Sequence, residues 1–204
     1  MCGRFYIPEP DDSPESLEAM LRSAEARYGQ PLKRGEIRPG DTAAALVQTR
    51  SGKVAAFPMR WGFQAGGKLV FNARSESIGS KALFRESVDR RRCLIPAAAY
   101  FEWDHRYQPR PKYRFSLPEA NFLYLAGLYR MEGDTPVFTV LTREASPELA
   151  AFHNRMPLIP AQNRARAWLD VTIDHQWALS ESQTDLRWQT DTPTQLDWAE
   201  MDEG

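Results

Sequence analysis

The sequence predicts an α+β fold, a single domain over residues 1–204. Its centre would be a mainly antiparallel, partly closed and barrel-like β-sheet with a few short peripheral helices. Three observations lead there. Short apolar runs of strand composition recur along the chain, separated by turn-formers such as Ser51-Gly52-Lys53, Gly66-Gly67 and Glu132-Gly133-Asp134. Helical spacing is confined to brief stretches, and no internal repeat, low-complexity tract or linker divides the chain. A chain of 204 residues is long enough to bury one substantial core.

Taken in order, Cys2 to Ile7 reads as an opening strand, followed by a loop at Glu9-Pro10-Asp11-Asp12. Ser13-Pro14-Glu15 starts a helix, with Ser13 as N-cap and Pro14 at the first helical position; Leu17, Met20, Leu21 and Ala24 recur at helical spacing until Gly29. Strands over Ala43–Thr49 and Val54–Trp61 form a hairpin across Ser51-Gly52-Lys53. Leu69-Val70-Phe71 is a further strand, and the polar stretch Asn72-Ala73-Arg74-Ser75-Glu76 sits at its end, where sites are often built. A helix is predicted over about Ser80–Arg91, with Leu83, Phe84 and Val88 inward. Strands follow at Cys93–Pro96, Ala98–Trp103, Tyr113–Leu117, Phe122–Met131 and Pro136–Thr142. Ser146-Pro147-Glu148 repeats the helix-start pattern and predicts a helix up to His153. Met156–Pro160 is extended, Asn163–Leu169 a short helix, and Leu186-Arg187-Trp188 a weak strand in a tail, irregular and acidic from about 185.

Hydrophobic residues at 42% and charged residues at 26% describe a soluble globular chain. No apolar run is long enough to span a membrane, and the first residues lack a signal-peptide layout. The only cysteines, Cys2 and Cys93, form no disulfide framework and no metal-ligand spacing, so a cytoplasmic setting without metal or cofactor is expected. Nothing signals an oligomer, so a monomer is expected. The net charge of −1 is uneven: Arg60 to Arg114 holds twelve Lys/Arg against five Asp/Glu, whereas Asp170 to Gly204 holds one Arg against nine Asp/Glu. That asymmetry suggests a basic face with an acidic counterweight.

The most reactive grouping lies at the start, Met1-Cys2-Gly3-Arg4. A small second residue favours removal of the initiator methionine, which would leave Cys2 as a 1,2-aminothiol. Its α-amine, with a pKa of about 7.7–8.0 against about 10.4 for lysine, would be partly free base at neutral pH. Its thiol is a second nucleophile within reach of the same electrophile. Such a pair condenses with an aldehyde to an imine and then closes a thiazolidine ring, an intramolecular step. The plainer reading makes Cys2 an ordinary residue of a first strand.

Other residues complete a candidate constellation. Asn72 can orient an amine or hold a carbonyl oxygen. Glu102, in Tyr100-Phe101-Glu102-Trp103, lies on the opposite strand face from its aromatic neighbours, and burial there would raise its pKa into the range useful for proton transfer. His153 stands in His153-Asn154-Arg155-Met156-Pro157. Arg4, Arg74, Lys81 and Arg85, with the run Arg90-Arg91-Arg92, can supply a basic groove for single-stranded nucleic acid, and Trp61 and Phe63 can supply stacking platforms. Each has a plainer alternative: a salt-bridged carboxylate for Glu102, a capping residue for His153, turn chemistry for Asn72, and core packing for Trp61 and Phe63. His105 and His175 sit in polar surroundings and receive no role, and Cys93 reads as a buried apolar cysteine.

The chain resembles the SRAP family (SOS response-associated peptidase), whose members act on abasic sites in single-stranded DNA. The resemblance is carried by Met1-Cys2-Gly3-Arg4, Trp61-Gly62-Phe63, Asn72-Ala73-Arg74-Ser75-Glu76, Arg92-Cys93-Leu94-Ile95-Pro96 with Tyr100-Phe101-Glu102-Trp103, Ala126-Gly127-Leu128, and His153-Asn154-Arg155-Met156-Pro157. These run in the family's order over residues 1 to about 160. The resemblance implies Cys2 as the covalent residue, with Asn72, Glu102 and His153 at the other active-site positions. Ala97-Ala98-Ala99 replaces the more usual Ala-Asp-Gly, and Asn154 stands where aspartate is frequent.

The expectation is therefore a covalent thiazolidine DNA–protein crosslink through Cys2 at abasic sites in single-stranded DNA, with associated autoproteolytic and AP-lyase activities. Two alternatives stay open. One is an N-terminal thiol hydrolase or peptidase acting on amide bonds through Cys2, His153 and Glu102, and the other a non-covalent single-stranded DNA-binding module.

Overall fold

The computed structural model describes residues 2–120 and 122–191; Met1 and the acidic segment from 192 onward lie outside them. The fold is α+β, with two large, mainly antiparallel sheets and a two-stranded antiparallel sheet among the described residues. In chain order come β1 (Phe5–Ile7), α1 (Glu15–Tyr28), β2 (Gly35–Ile37), β3 (Thr42–Gln48), β4 (Val54–Trp61), β5 (Phe63–Ala65), β6 (Lys68–Val70), β7 (Asn72–Arg74) and α2 (Ala82–Arg90). β8 (Arg92–Ala97), β9 (Ala99–Trp103), β10 (Lys112–Ser116), β11 (Leu123–Glu132), β12 (Thr135–Glu144) and β13 (Arg155–Pro157) follow. α3 (Gln162–Leu169), α4 (His175–Leu179) and β14 (Arg187–Thr190) complete the described chain.

Strands β11, β8, β3, β4 and β12 pair in that order, and β12 pairs back onto β11, so these five close into a barrel. The β4–β12 closure is parallel (Val137 opposite Arg60, Phe138 opposite Trp61), and farther along β12 the same edge takes β7 in parallel, with Val140 opposite Asn72. The other edge of β12 passes from β11 to β13. β12 thus organises the barrel wall and carries both Asn72 and the start of β13. The second sheet, β14-β10-β9-β1-β2, is antiparallel throughout.

Strand alternation sorts the barrel's side chains into two cores. Ala43, Ala45, Met59, Trp61, Cys93, Ile95, Leu125, Phe138 and Val140 join Cys2, Phe5, Tyr100 and Phe115 from the second sheet. Ala44, Leu46, Leu94, Ala126, Val137 and Leu141 face outward to pack beneath α1, α2 and α3. Strands buried on both faces read as continuous apolar runs, which is why Ala43–Val47 and Arg92–Ala97 are legible as strands at all.

Two glycines of the sequence motifs are architectural. Gly62 has φ +120° and a Cβ there would stand 2.5 Å from Leu69 Cδ1. A Cβ on Gly127 would stand 2.6 Å from Ile95 Cδ1 and 2.9 Å from the Thr139 carbonyl, so the barrel interior closes only around glycine.

The expected helix over Ser146–His153 is a correction: those residues form turns, with Ala150 N–H donating to Ser146 O and His153 N–H to Leu149 O. The segment is pinned at both ends, where Glu144 lies opposite Arg155 and Ala145 N–H donates to Asn154 O, and that short closure leaves no room for regular helix. Pro14, not Ser13, stands at the N-cap of α1, without a side-chain cap. Asp11 and Asp12 fall in a 3₁₀ turn (Pro10–Asp12). The weak strand in the tail is β14, which pairs with β10.

Candidate active site

β1 leads the chain into the second sheet beside β9. Phe5 lies opposite Tyr100, and Phe101 N–H donates to Arg4 O at 3.0 Å. Cys2 is fully buried, and its thiol donates to Arg4 O at 3.7 Å. Burial first, and then the charge of Glu102, push the thiol well above the ordinary cysteine range. Asn72, at the start of β7, donates its Nδ2–H to Cys2 O at 2.9 Å. Its Oδ1 is buried and has no partner among the described residues. The structure therefore joins Cys2 to Asn72 directly, from opposite sheets.

Glu102 shares its strand face with Tyr100, away from Phe101 and Trp103, whose rings are covered by Lys112 (4.0 Å) and Arg4 (5.6 Å). It is 6% exposed, and burial raises its pKa above the usual carboxylate value. Tyr100 is 2% exposed, and burial above all raises its phenol well above the ordinary tyrosine range.

His153 is half-buried at the end of the 145–154 turn. Its Nδ1 accepts from Arg155 N–H at 2.9 Å, so the neutral ring carries its proton on Nε2. Burial lowers its pKa, and the positive charges of the chain's amino terminus and of His105 lower it further. The loop is tied to the Asn72 strand by a bidentate pair, Arg155 to Glu76 at 2.7 and 2.9 Å, with a further bond from Arg155 to Thr142 O at 2.6 Å. Sequence reasoning quoted both segments and did not join them. It also left out His105, whose ring meets His153 edge to face at 6.5 Å between centroids.

The cationic and aromatic residues divide. Arg74 is exposed and makes no ion pair among the described residues; it lies on the same side of β7 as Asn72, with Ala73 buried opposite. Lys81 and Arg85 are exposed at the start of α2, where Arg85 donates to Ser80 O. α2 packs on the outer core through Phe84 and Val88. Arg4 is ion-paired with Glu36, which also receives Lys112 at 2.5 Å. Trp61 is a correction: it is fully buried, donates Nε1–H to Phe71 O at 2.8 Å and stacks on Phe138, so its indole offers no face to a base. Phe63 is buried likewise. Their apolar area is worth more inside the barrel than on its surface. Among the described residues no cluster of His, Cys, Asp and Glu is spaced to hold a metal ion, and no helix is long and apolar enough to cross a membrane.

Comparison with known proteins agrees with this architecture. The chain is 29% identical over 187 residues to the abasic site processing protein YoqW of Bacillus subtilis, covering 83% of this chain and 80% of that one. It is 24% identical over 185 residues to the abasic site processing protein YedK of Escherichia coli, covering 85% and 81%. A crystal structure of a Bordetella bronchiseptica protein superposes with a TM-score of 0.73 at 22% identity, covering 93% of this chain and 99% of that one. The family model described as SOS response associated peptidase (SRAP) matches residues 1–201. The chain belongs to the SRAP family.

Proposed function

We propose that this protein processes abasic sites in single-stranded DNA by forming a covalent crosslink through Cys2, once Met1 has been removed. The observation that carries the reading is the placement of Cys2: its carbonyl is held by Asn72 and its backbone runs beside Glu102, so the α-amine would emerge next to a buried carboxyl of raised pKa. The amine adds to the C1′ aldehyde of the ring-opened sugar, and water leaves to give an imine. Glu102, whose pKa burial raises, gives a proton to the departing oxygen. His153, held neutral, takes one from the nitrogen. The Cys2 S–H then adds across the C=N bond, its proton passing to nitrogen, and the thiazolidine closes. Asn72 Oδ1, without a partner among the described residues, can accept from the amine.

The state of the thiol favours this order over hydrolysis by a cysteine nucleophile. Such a nucleophile works as thiolate at depressed pKa, and here burial and Glu102 push the opposite way. A thiol that stays protonated until the imine has formed suits the second step. Arg74, beside Asn72, is the foremost candidate to hold a backbone phosphate of the damaged strand, with Lys81 and Arg85 farther along. AP-lyase chemistry is a side branch of the same imine.

The test is a gel of wild type beside Cys2→Ala on a single-stranded oligonucleotide carrying one abasic site. A heat-stable adduct should form with wild type and vanish with the variant. Intact mass should show the loss of one methionine. An undiminished adduct from Cys2→Ala, or an unprocessed and yet reactive chain, would overturn the assignment.

A further inference from the structure

We propose that His105 is a positioning residue of this site, a second histidine that fixes the His153 ring and decides at what acidity His153 takes up a proton. The proposal rests on the functional reading above and adds a residue to it.

The loop between β9 and β10 is built to place His105. Its entry is Asp104, whose side chain is buried and gripped by Arg106 through Oδ1–Nε at 2.9 Å and Oδ2–NH2 at 2.6 Å. Asp104 N–H donates to Pro111 O at 3.0 Å, closing the loop at its base. Arg106 also lies over Phe152 at 5.6 Å, so the residue preceding His153 is packed against this loop. Between those anchors His105 presents its ring edge to face with His153, 6.5 Å between centroids. With Nδ1 of His153 occupied by Arg155 N–H, only Nε2 of that ring exchanges protons.

The charges around His153 leave His105 as the variable one. Asp104 and Arg106 offset each other as a bidentate pair, and Arg155 is matched by Glu76. His105 is exposed, and its positive charge, when present, opposes protonation of His153. His153 is thus kept neutral, and able to accept a proton, further into acid.

The test compares wild type, His105→Gln and His105→Lys in two measurements. One is the imidazole NMR titration of His153 in the free protein; the other is the pH profile of single-turnover crosslinking to abasic single-stranded DNA. His105→Gln removes the charge, so the His153 midpoint and the acidic limb of the profile should both move up by about half a pH unit, the scale of a charge pair at this separation near solvent. His105→Lys keeps the charge and should hold the midpoint at or below wild type. A purely structural loop would lower the rate at every pH and leave the midpoint unmoved in both variants, which would overturn the proposal. The NMR arm needs no DNA: a shifted midpoint without any adduct would sink the functional reading and leave the pairing of the histidines standing.

Discussion

Glu102 has the sharpest conflict between folding and chemistry. Burial raises its pKa, so ionising it within the fold is unfavourable. The linkage follows from that direction. Below the ordinary glutamate pKa of about 4.3 the group is neutral in both folded and unfolded chains and its burial carries no ionisation penalty. As pH rises from there through the raised value, the unfolded chain ionises first and the fold loses stability. Glu102→Gln removes the ionisation and keeps the shape. It should therefore melt higher than wild type at pH 7 and equally at pH 4, as read by thermal denaturation. Crosslinking at pH 7 should fall on the order of 10²-fold, the usual weight of a positioned proton donor. A variant that melts lower at pH 7 would mean that the favourable interactions of the carboxylate, the charge of the amino terminus among them, outweigh its burial.

At the scale of elements, the site depends on two loops brought together by β12. One edge of that strand holds β7, which carries Asn72; the other holds β13, which follows His153. The Arg155–Glu76 pair ties the two across β12. Glu76 is half-exposed, so the pair itself adds only about 0.2–1 kcal/mol to stability. Its greater effect should be on position. Glu76→Gln should shift the melting temperature by no more than a few degrees and slow crosslinking by roughly tenfold, since small displacements of a catalytic group are costly. Equal rates in the two proteins would show that β13 alone suffices to place His153. This tie also marks how far the sequence could be read. Strand periodicity, turns and the order of motifs gave the sheet-rich fold and gathered Cys2, Asn72, Glu102 and His153 as candidates. The pairing of Glu76 with Arg155 spans 79 positions and has no local signature. The Ser146–His153 turns were misread for a related reason: local helix signals gave way to strand pairing on either side.

Across the whole molecule, burial separates residues of similar appearance in the sequence. Trp61 and Arg74 both looked like DNA contacts, one for stacking and one for phosphate. A tryptophan near a basic stretch gives no sign of which side it faces, and β4 turns Trp61 into the barrel against Phe5, Phe71 and Phe138. Arg74 remains outside, one strand position beyond Ala73. Their replacement by alanine should therefore fail in different ways. Trp61→Ala empties a large part of the core and should lower stability by about 3–5 kcal/mol, seen in denaturant melts. Where it stays folded, the salt dependence of its binding to undamaged single strands should match wild type. Arg74→Ala should leave the melt within about 0.5 kcal/mol, as surface substitutions generally do. It should weaken binding and flatten the slope of log affinity against log salt by roughly 0.7, the contribution of one phosphate contact on a single strand. An unchanged slope for Arg74→Ala would remove the phosphate path from beside Asn72 and shift it to the α2 cations Lys81 and Arg85.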